Sequence, residues 1–221
     1  MGYLTKDFVK FFKELEKNNN KDWFDANRKR YETSVKKPFA QLIDEMIGRI
    51  NHEAPEIAIQ AKDAILRINR DIRFSPDKTP YNTHYGAIIS TTGRKDKSIP
   101  GIYFRFSAKG IEIYGGAHGV DKVQLQKIRT YIANHLNQFQ KAISHKDFKE
   151  TFGEIMGEKH QRIPKEFQSI STKQPLIANK QFYYGTQIPA KHITDEELPE
   201  TLMHYWHAGR LVKDFLIKAM E

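Results

Sequence analysis

The segment IYFRFSAKGIEIYG, residues 102–115, decides the fold class of this 221-residue chain. Apolar and polar residues alternate on both sides of Lys109-Gly110, as in two half-buried strands joined by a tight turn. Glycine supplies the positive φ that such a turn needs. The pattern predicts an antiparallel hairpin with one buried face. The buried face would carry Phe104, Phe106, Ile111 and Ile113, and the opposite face Arg105, Ser107, Glu112 and Tyr114.

Two stretches before the hairpin also have the composition of strands. Residues 66–74 place Leu, Ile, Ile and Phe on one parity and mostly polar residues on the other, and residues 85–90 are a second candidate. Arg70 breaks the alternation, because it shares the parity of the apolar residues. Residues 181–188 are a candidate late strand.

Helical spacing of apolar residues marks the chain on both sides of these strands. It covers residues 4–51, residues 121–144 and a last helix near Pro199. Residues 194–197, Thr-Asp-Glu-Glu, have the form of a capping box for that last helix. The order of helices, strands and helices predicts an α+β fold with a mostly antiparallel sheet flanked by helices.

The overall composition narrows the class of protein. Zero cysteines exclude a disulfide scaffold, a thiolate metal site and a cysteine nucleophile, and 24 Phe and Tyr residues exclude a fully disordered chain. No run approaches the roughly 18 apolar residues of a spanning helix, and no secretory signal is visible. We therefore expect a cytoplasmic protein without membrane contact, with residues 1–221 in a single domain.

The positive charge of the chain is concentrated in one region. The formal net charge is +9, and residues 61–110 alone carry a net +6. A concentrated basic segment indicates an anionic partner, either a phosphate-bearing small molecule or a nucleic acid.

Residues 67–84 hold the densest group of candidate binding residues. The functional hypothesis is an anion pocket in which arginine forks and a lysine grip phosphate or carboxylate, with polar contacts beside them. Its members are Arg67, Arg70, Asp71, Arg73, Lys78, Tyr81 and His84. The alternative is a structural network of ion pairs, because such networks resemble functional clusters. In either case Arg70 must find an acidic partner or a water-filled cleft, since an unpaired buried charge is costly.

The same segment carries a resemblance to a known family. Its pattern R-x-x-R-D-x-R-F-x-x-D-K-x-x-Y runs from Arg67 to Tyr81 and resembles the signature of the uncharacterised bacterial family catalogued as domain of unknown function 2461. Residues 8–31, with Asn-Asn-Asn-Lys-Asp-Trp-Phe, are similar to that family's opening, and residues 100–103 and 115–116 resemble its hairpin. The resemblance implies a single bacterial domain of about this size and implies no activity.

Three functional hypotheses follow from the sequence. The first is a binder, or an enzyme, for a phosphate- or carboxylate-bearing small molecule in an Arg-lined cleft, with Asp71 or His84 available for proton transfer. The second is a nucleic-acid-binding module with an exposed basic face that includes Arg94, Lys95 and Lys97. The third is an interaction protein whose arginines are buried against carboxylates.

The sequence identifies no cofactor. His204 and His207 lie three apart on the last predicted helix, but the interleaved Tyr205-Trp206 favours packing, so we predict no metal site.

Overall fold

Helix α1, Lys6–Lys17, forms where apolar residues recur at helical spacing. The structure is a computed structural model that describes residues 2–221. Thr5 caps the helix by accepting a hydrogen bond from the backbone N–H of Asp7 at 3.3 Å. The helix buries the face predicted for it: Phe8, Phe11, Phe12 and Leu15.

The second helical region is continuous through a widened turn. Helices α2, Lys21–Ala26, and α3, Arg28–Arg30, lead into a π-helical turn at Tyr31–Lys36 and then into α4, Lys37–Glu53. Pro38 is the second residue of α4, in the first turn, where a helix tolerates proline because no intrahelical bond needs its N–H. The widened turn has more residues per turn than an α-helix, which suits the four-residue spacing of the buried Tyr31, Val35 and Phe39.

The remaining helices are mostly short. They are α5 Ala61–Ala64, α6 Lys122–Asn134, α7 Leu136–Ser144, α8 Lys146–Phe152, α9 Gln168–Ser171, α10 Leu198–Ala208 and α11 Arg210–Met220. Single 3-10 turns lie at Gly93–Lys95, Lys165–Phe167, Pro175–Ala178 and Ala190–Thr194.

One antiparallel sheet of four strands, in the order β1-β2-β3-β4, confirms the predicted α+β class. The strands are β1 His84–Ile89, β2 Gly101–Ser107, β3 Gly110–Ala117 and β4 Phe182–Pro189. Burial alternates along β2 and β3, so the predicted hairpin and its two faces are confirmed. Gly110 turns the hairpin with φ +145, and a Cβ there would also overlap the carbonyl oxygen of Ile188.

The predicted C-terminal helix needs two corrections. Thr194 ends a 3-10 turn and does not cap a helix, because the helix begins only at Leu198. The helix is also interrupted at Gly209, which separates α10 from α11. Packing requires a glycine at this junction: a Cβ at position 209 would overlap the phenol oxygen of Tyr184, which donates a hydrogen bond to the Gly209 carbonyl at 3.0 Å.

Backbone proximity divides the chain into two compact units. The first comprises residues 2–94, 103–113 and 187–203, and its core includes an aromatic cluster of Phe8, Phe39 and Phe106. The second comprises residues 95–102, 114–186 and 204–221, and in its core Phe139 and Tyr131 pack on Phe215. The single-domain expectation stays a prediction.

Candidate anion-binding loop

The predicted strand at residues 66–74 is wrong. Only isolated bridges join this segment to the next, between Ile65 and Ala87 and between Asn69 and Tyr81. The backbone bonds from Leu66 to the carbonyl of Gly86 and from Asn82 to that of Ile68, each 2.8 Å, differ in register by two residues. The slip prevents a continuous ladder, so Arg67, Asp71 and Arg73 do not share one strand face.

Residues 71–79, which we call the motif loop, connect the two segments that the Asn69–Tyr81 bridge pairs. The backbone N–H of Arg70 donates to the carbonyl of Pro80 at 2.9 Å, so the two ends of the loop lie together. The Arg70 guanidinium braces the loop from inside. It donates to Asp77 at 2.6 Å, to the carbonyl and hydroxyl of Thr79, and to the Ser75 hydroxyl at 3.4 Å. Of the two surroundings predicted for Arg70, an acidic partner or a water-filled cleft, the structure shows the acidic partner, Asp77.

Asp77 is held as a carboxylate by this network. It accepts the backbone N–H of Thr79 at 2.9 Å as well as the guanidinium of Arg70. These bonds lower the pKa of Asp77 to about 2, and the bond from the Thr79 backbone has the largest effect. Ser75, Asp77 and Thr79 therefore use most of the donor capacity of Arg70 within the protein.

Arg73 is paired in a different way, at the surface. Its Nε and Nη2 donate to the two carboxylate oxygens of Asp71 at 3.0 and 2.7 Å. Both side chains are exposed, Arg73 by 76% and Asp71 by 43%. The Arg73 bonds, and the nearby charge of Arg67, lower the pKa of Asp71. Because both side chains are exposed to solvent, this ion pair is screened and can exchange its partner.

Two more cations and one aromatic ring are exposed beside this pair. Lys78 donates from Nζ to the carbonyl of Ile72 at 2.9 Å. The Arg67 side chain is exposed and has no hydrogen bond or ion pair within residues 2–221. Phe74 is 94% exposed, and the Arg73 guanidinium carbon lies 5.9 Å from its ring centroid. We call Arg67, Arg73, Phe74 and Lys78 the basic loop surface.

Tyr81 belongs to the core and fixes the end of the motif loop. Its ring stacks on Phe24 with centroids 4.0 Å apart, and its burial raises the pKa of the phenol. The side chain of Asn19 bonds both backbone groups of Tyr81, donating to the carbonyl at 2.8 Å and accepting the N–H at 3.1 Å.

His84 lies on the polar face of the sheet, beside Arg105 and Glu112. Arg105 and Glu112 form an ion pair at 3.2 Å across β2 and β3. Burial, and then the positive charge of Arg105, lower the pKa of His84 to about 4, so the ring is neutral at pH 7. Within residues 2–221, the Nε of Arg105 is buried without a hydrogen-bond partner.

Sequence reasoning placed Arg105 and Glu112 on one face but missed their connection to His84. The strand order was the lacking information, because it brings β1 beside β2. No hydrogen bond or ion pair joins His84 to Arg73 or Lys78 within the described part of the chain. The structure thus divides the predicted site residues among the basic loop surface, the Arg70 network, the core and the sheet face.

Comparison with protein families gives one finding. A family model described as conserved hypothetical protein (DUF2461) matches residues 7–215, nearly the whole chain. The chain belongs to this family. Comparisons with curated proteins and with solved structures found no match.

Three further features of this DUF2461 member concern metal ligands, membrane helices and the Gly-rich residues after β3. Within residues 2–221, no three His, Asp or Glu side chains are grouped so that they could hold a metal ion. In the same range, no helix has the length and apolar character needed to cross a membrane. The Gly-rich residues 115–119 have a packing role, since β3 runs through Ala117 and a Cβ at Gly116 would overlap the carbonyl oxygen of Phe182.

Proposed function

We propose that this chain binds phosphate- or carboxylate-bearing partners through the basic loop surface. The observation that carries the proposal is the exposed Arg73–Asp71 pair. A guanidinium fork held only by an exposed carboxylate can exchange it for a phosphate at little cost, since the fork geometry suits either group. Arg67 and Lys78 add two more positive charges beside it.

Arg70 has a supporting role in this proposal. Its donors are directed at Ser75, Asp77 and Thr79, and its side chain is only 24% exposed. The network fixes the course of the motif loop before any ligand arrives. A preformed loop loses less conformational entropy on binding, which favours affinity.

The open setting of the loop favours one of the two partner classes. Small-molecule sites are concave and bury most of the ligand surface. Arg67, Arg73, Phe74 and Lys78 are all exposed, which suits the repeated charges of a polyanion better than one enclosed molecule. The small-molecule cleft stays a prediction, and the proposal adopts the polyanion.

Calorimetric titration with inorganic polyphosphate at low salt tests the proposal. Arg73→Ala should weaken binding at least severalfold, because it removes the fork. Asp71→Asn should strengthen binding severalfold, because it frees Arg73 and removes a negative charge.

Arg210→Ala is the matched control. Arg210 also forms an exposed ion pair, with Asp214 at 3.6 Å, but lies outside the motif loop. Its replacement should leave polyphosphate affinity unchanged. The proposal is wrong if Asp71→Asn and Arg73→Ala behave like this control.

A further inference from the structure

We infer that the polyanion is a single-stranded nucleic acid, whose base stacks on Phe74 while Arg67, Arg73 and Lys78 contact its phosphates. The inference rests on the proposed function and names its ligand class. It adds an aromatic contact that binding of a simple anion does not require.

Phe74 is the unusual element of the basic loop surface. The ring is 94% exposed although phenylalanine is among the residues most often buried. The other large apolar side chains exposed within residues 2–221, Val123 at 67% and Leu211 at 44%, lie on helices. Phe74 instead stands on a loop beside a guanidinium, 5.9 Å from the ring centroid.

The motif loop fixes the backbone on both sides of this ring. Arg70 ties Ser75, Asp77 and Thr79 together, and Lys78 reaches back to the carbonyl of Ile72. The residues on both sides of Phe74 are thus fixed, while the ring itself packs against little. An aromatic ring on a braced loop offers a face for stacking at low entropic cost.

Charge and ring together favour a single strand over other polyanions. Proteins that bind single strands combine cations along the backbone with aromatic rings on which bases stack. The faces of duplex bases are already occupied by their neighbours, so a duplex cannot use Phe74 in this way. The motif loop also carries Asp71 and Asp77, whose charges oppose insertion into an anionic membrane.

Fluorescence anisotropy of a fluorescein-labelled 15-nucleotide oligothymidylate provides the test. We expect binding that weakens with salt, with a slope near −2 in log affinity against log salt for three neutralised phosphates. Phe74→Ala should weaken binding on the order of tenfold, as expected for one lost stacking contact. Phe74→Trp should retain affinity, and its added indole should be quenched by the oligonucleotide.

Three controls separate stacking from other causes. Phe74→Leu keeps an apolar side chain without a π face, so it should behave like Phe74→Ala. Polyphosphate affinity should be the same for wild type and Phe74→Ala. Circular dichroism should show unchanged folding, since the exposed ring contributes little to packing.

Each alternative outcome has one meaning. Polyphosphate binding without oligonucleotide binding overturns the inference and leaves the proposed function intact, whereas binding of neither overturns both. The stacking contact is overturned if a 15-base-pair duplex binds as tightly as the oligothymidylate. It is also overturned if the Phe74→Ala and Phe74→Trp variants bind the oligothymidylate equally tightly. Phe74-dependent binding to phosphatidylserine vesicles without oligonucleotide binding assigns the loop to a membrane instead and overturns the inference.

Discussion

His84 illustrates how its surroundings change the chemistry of one residue. A histidine with an ordinary pKa of 6.5 would be partly charged near neutral pH. Burial on the sheet and the positive charge of Arg105 lower that pKa to about 4, and the negative charge of Glu112 offsets the effect only partly. The His84 ring is therefore a neutral hydrogen-bonding group in the folded protein at pH 7.

The lowered pKa makes stability depend on pH in a defined direction. Between pH 6.5 and about 4, the unfolded chain binds a proton at His84 that the folded chain does not. The free energy of unfolding should therefore fall as pH drops through this window, by at most about 3 kcal/mol from this residue. Urea unfolding of wild type and His84→Gln across the window measures the difference.

The His84→Gln variant should have a flatter dependence of stability on pH, with little change in slope above pH 6.5. His160, whose pKa is also lowered, titrates in both proteins and cancels in the comparison. Identical slopes for the two proteins below pH 6.5 would show that His84 is not shielded from protonation.

Among the secondary-structure elements, the spacing of apolar residues predicted those that depend mainly on interactions between residues close in the chain. Helix α1 and the β2–β3 hairpin follow from the spacing of their apolar residues, and the structure confirms both. Residues 66–74 have the alternation of a strand, but alternation does not encode the two-residue slip against residues 80–87. The hydrogen-bonding partners of a segment depend on register, which side-chain parity alone does not fix.

The candidate site was predictable to a similar extent. The basic segment was visible in the sequence, and so was the requirement that Arg70 meet an acidic partner or a water-filled cleft. Asp77 is that acidic partner. It did not show that Tyr81 packs in the core or that Phe74 is exposed, because the alternating pattern predicted the opposite burial for Phe74. Those outcomes depend on where the paired segments end and the motif loop begins.

The junction between α10 and α11 permits a test of packing at the scale of elements. Gly209→Ala places a methyl group against the Tyr184 ring. A Cβ at Gly115 would overlap the same ring, so the ring has no room to move away from Gly209 in that direction. We expect a loss of about 1–3 kcal/mol in the free energy of unfolding. Gly48→Ala is the control: it adds a methyl within α4 with no atom nearby, and should stabilise the protein by about 0.5–1 kcal/mol. Equal effects of the two substitutions in urea unfolding would contradict this account.

For the whole molecule, the net charge of +9 poses the question of whether binding depends on total or local charge. Lys78→Glu and Lys146→Glu change the net charge equally. Lys78 belongs to the basic loop surface, whereas Lys146 is a highly exposed residue of α8. If local contacts decide affinity, Lys78→Glu should weaken oligothymidylate binding at least tenfold at 0.15 M salt. Lys146→Glu should weaken it less than twofold, because salt at that concentration screens charges separated by more than about 8 Å. Similar losses for both variants would indicate a general charge effect.

One backbone hydrogen bond, from Arg70 to Pro80, closes the motif loop at its base. Arg73, Phe74 and Lys78, which are proposed to bind the ligand, therefore lie in a segment distinct from the rest of the fold. Its nine residues begin and end at nearly the same point, because the backbone at the two ends is bonded together. Substituting the exposed side chains of the loop should therefore change what it binds while the scaffold that carries it stays folded.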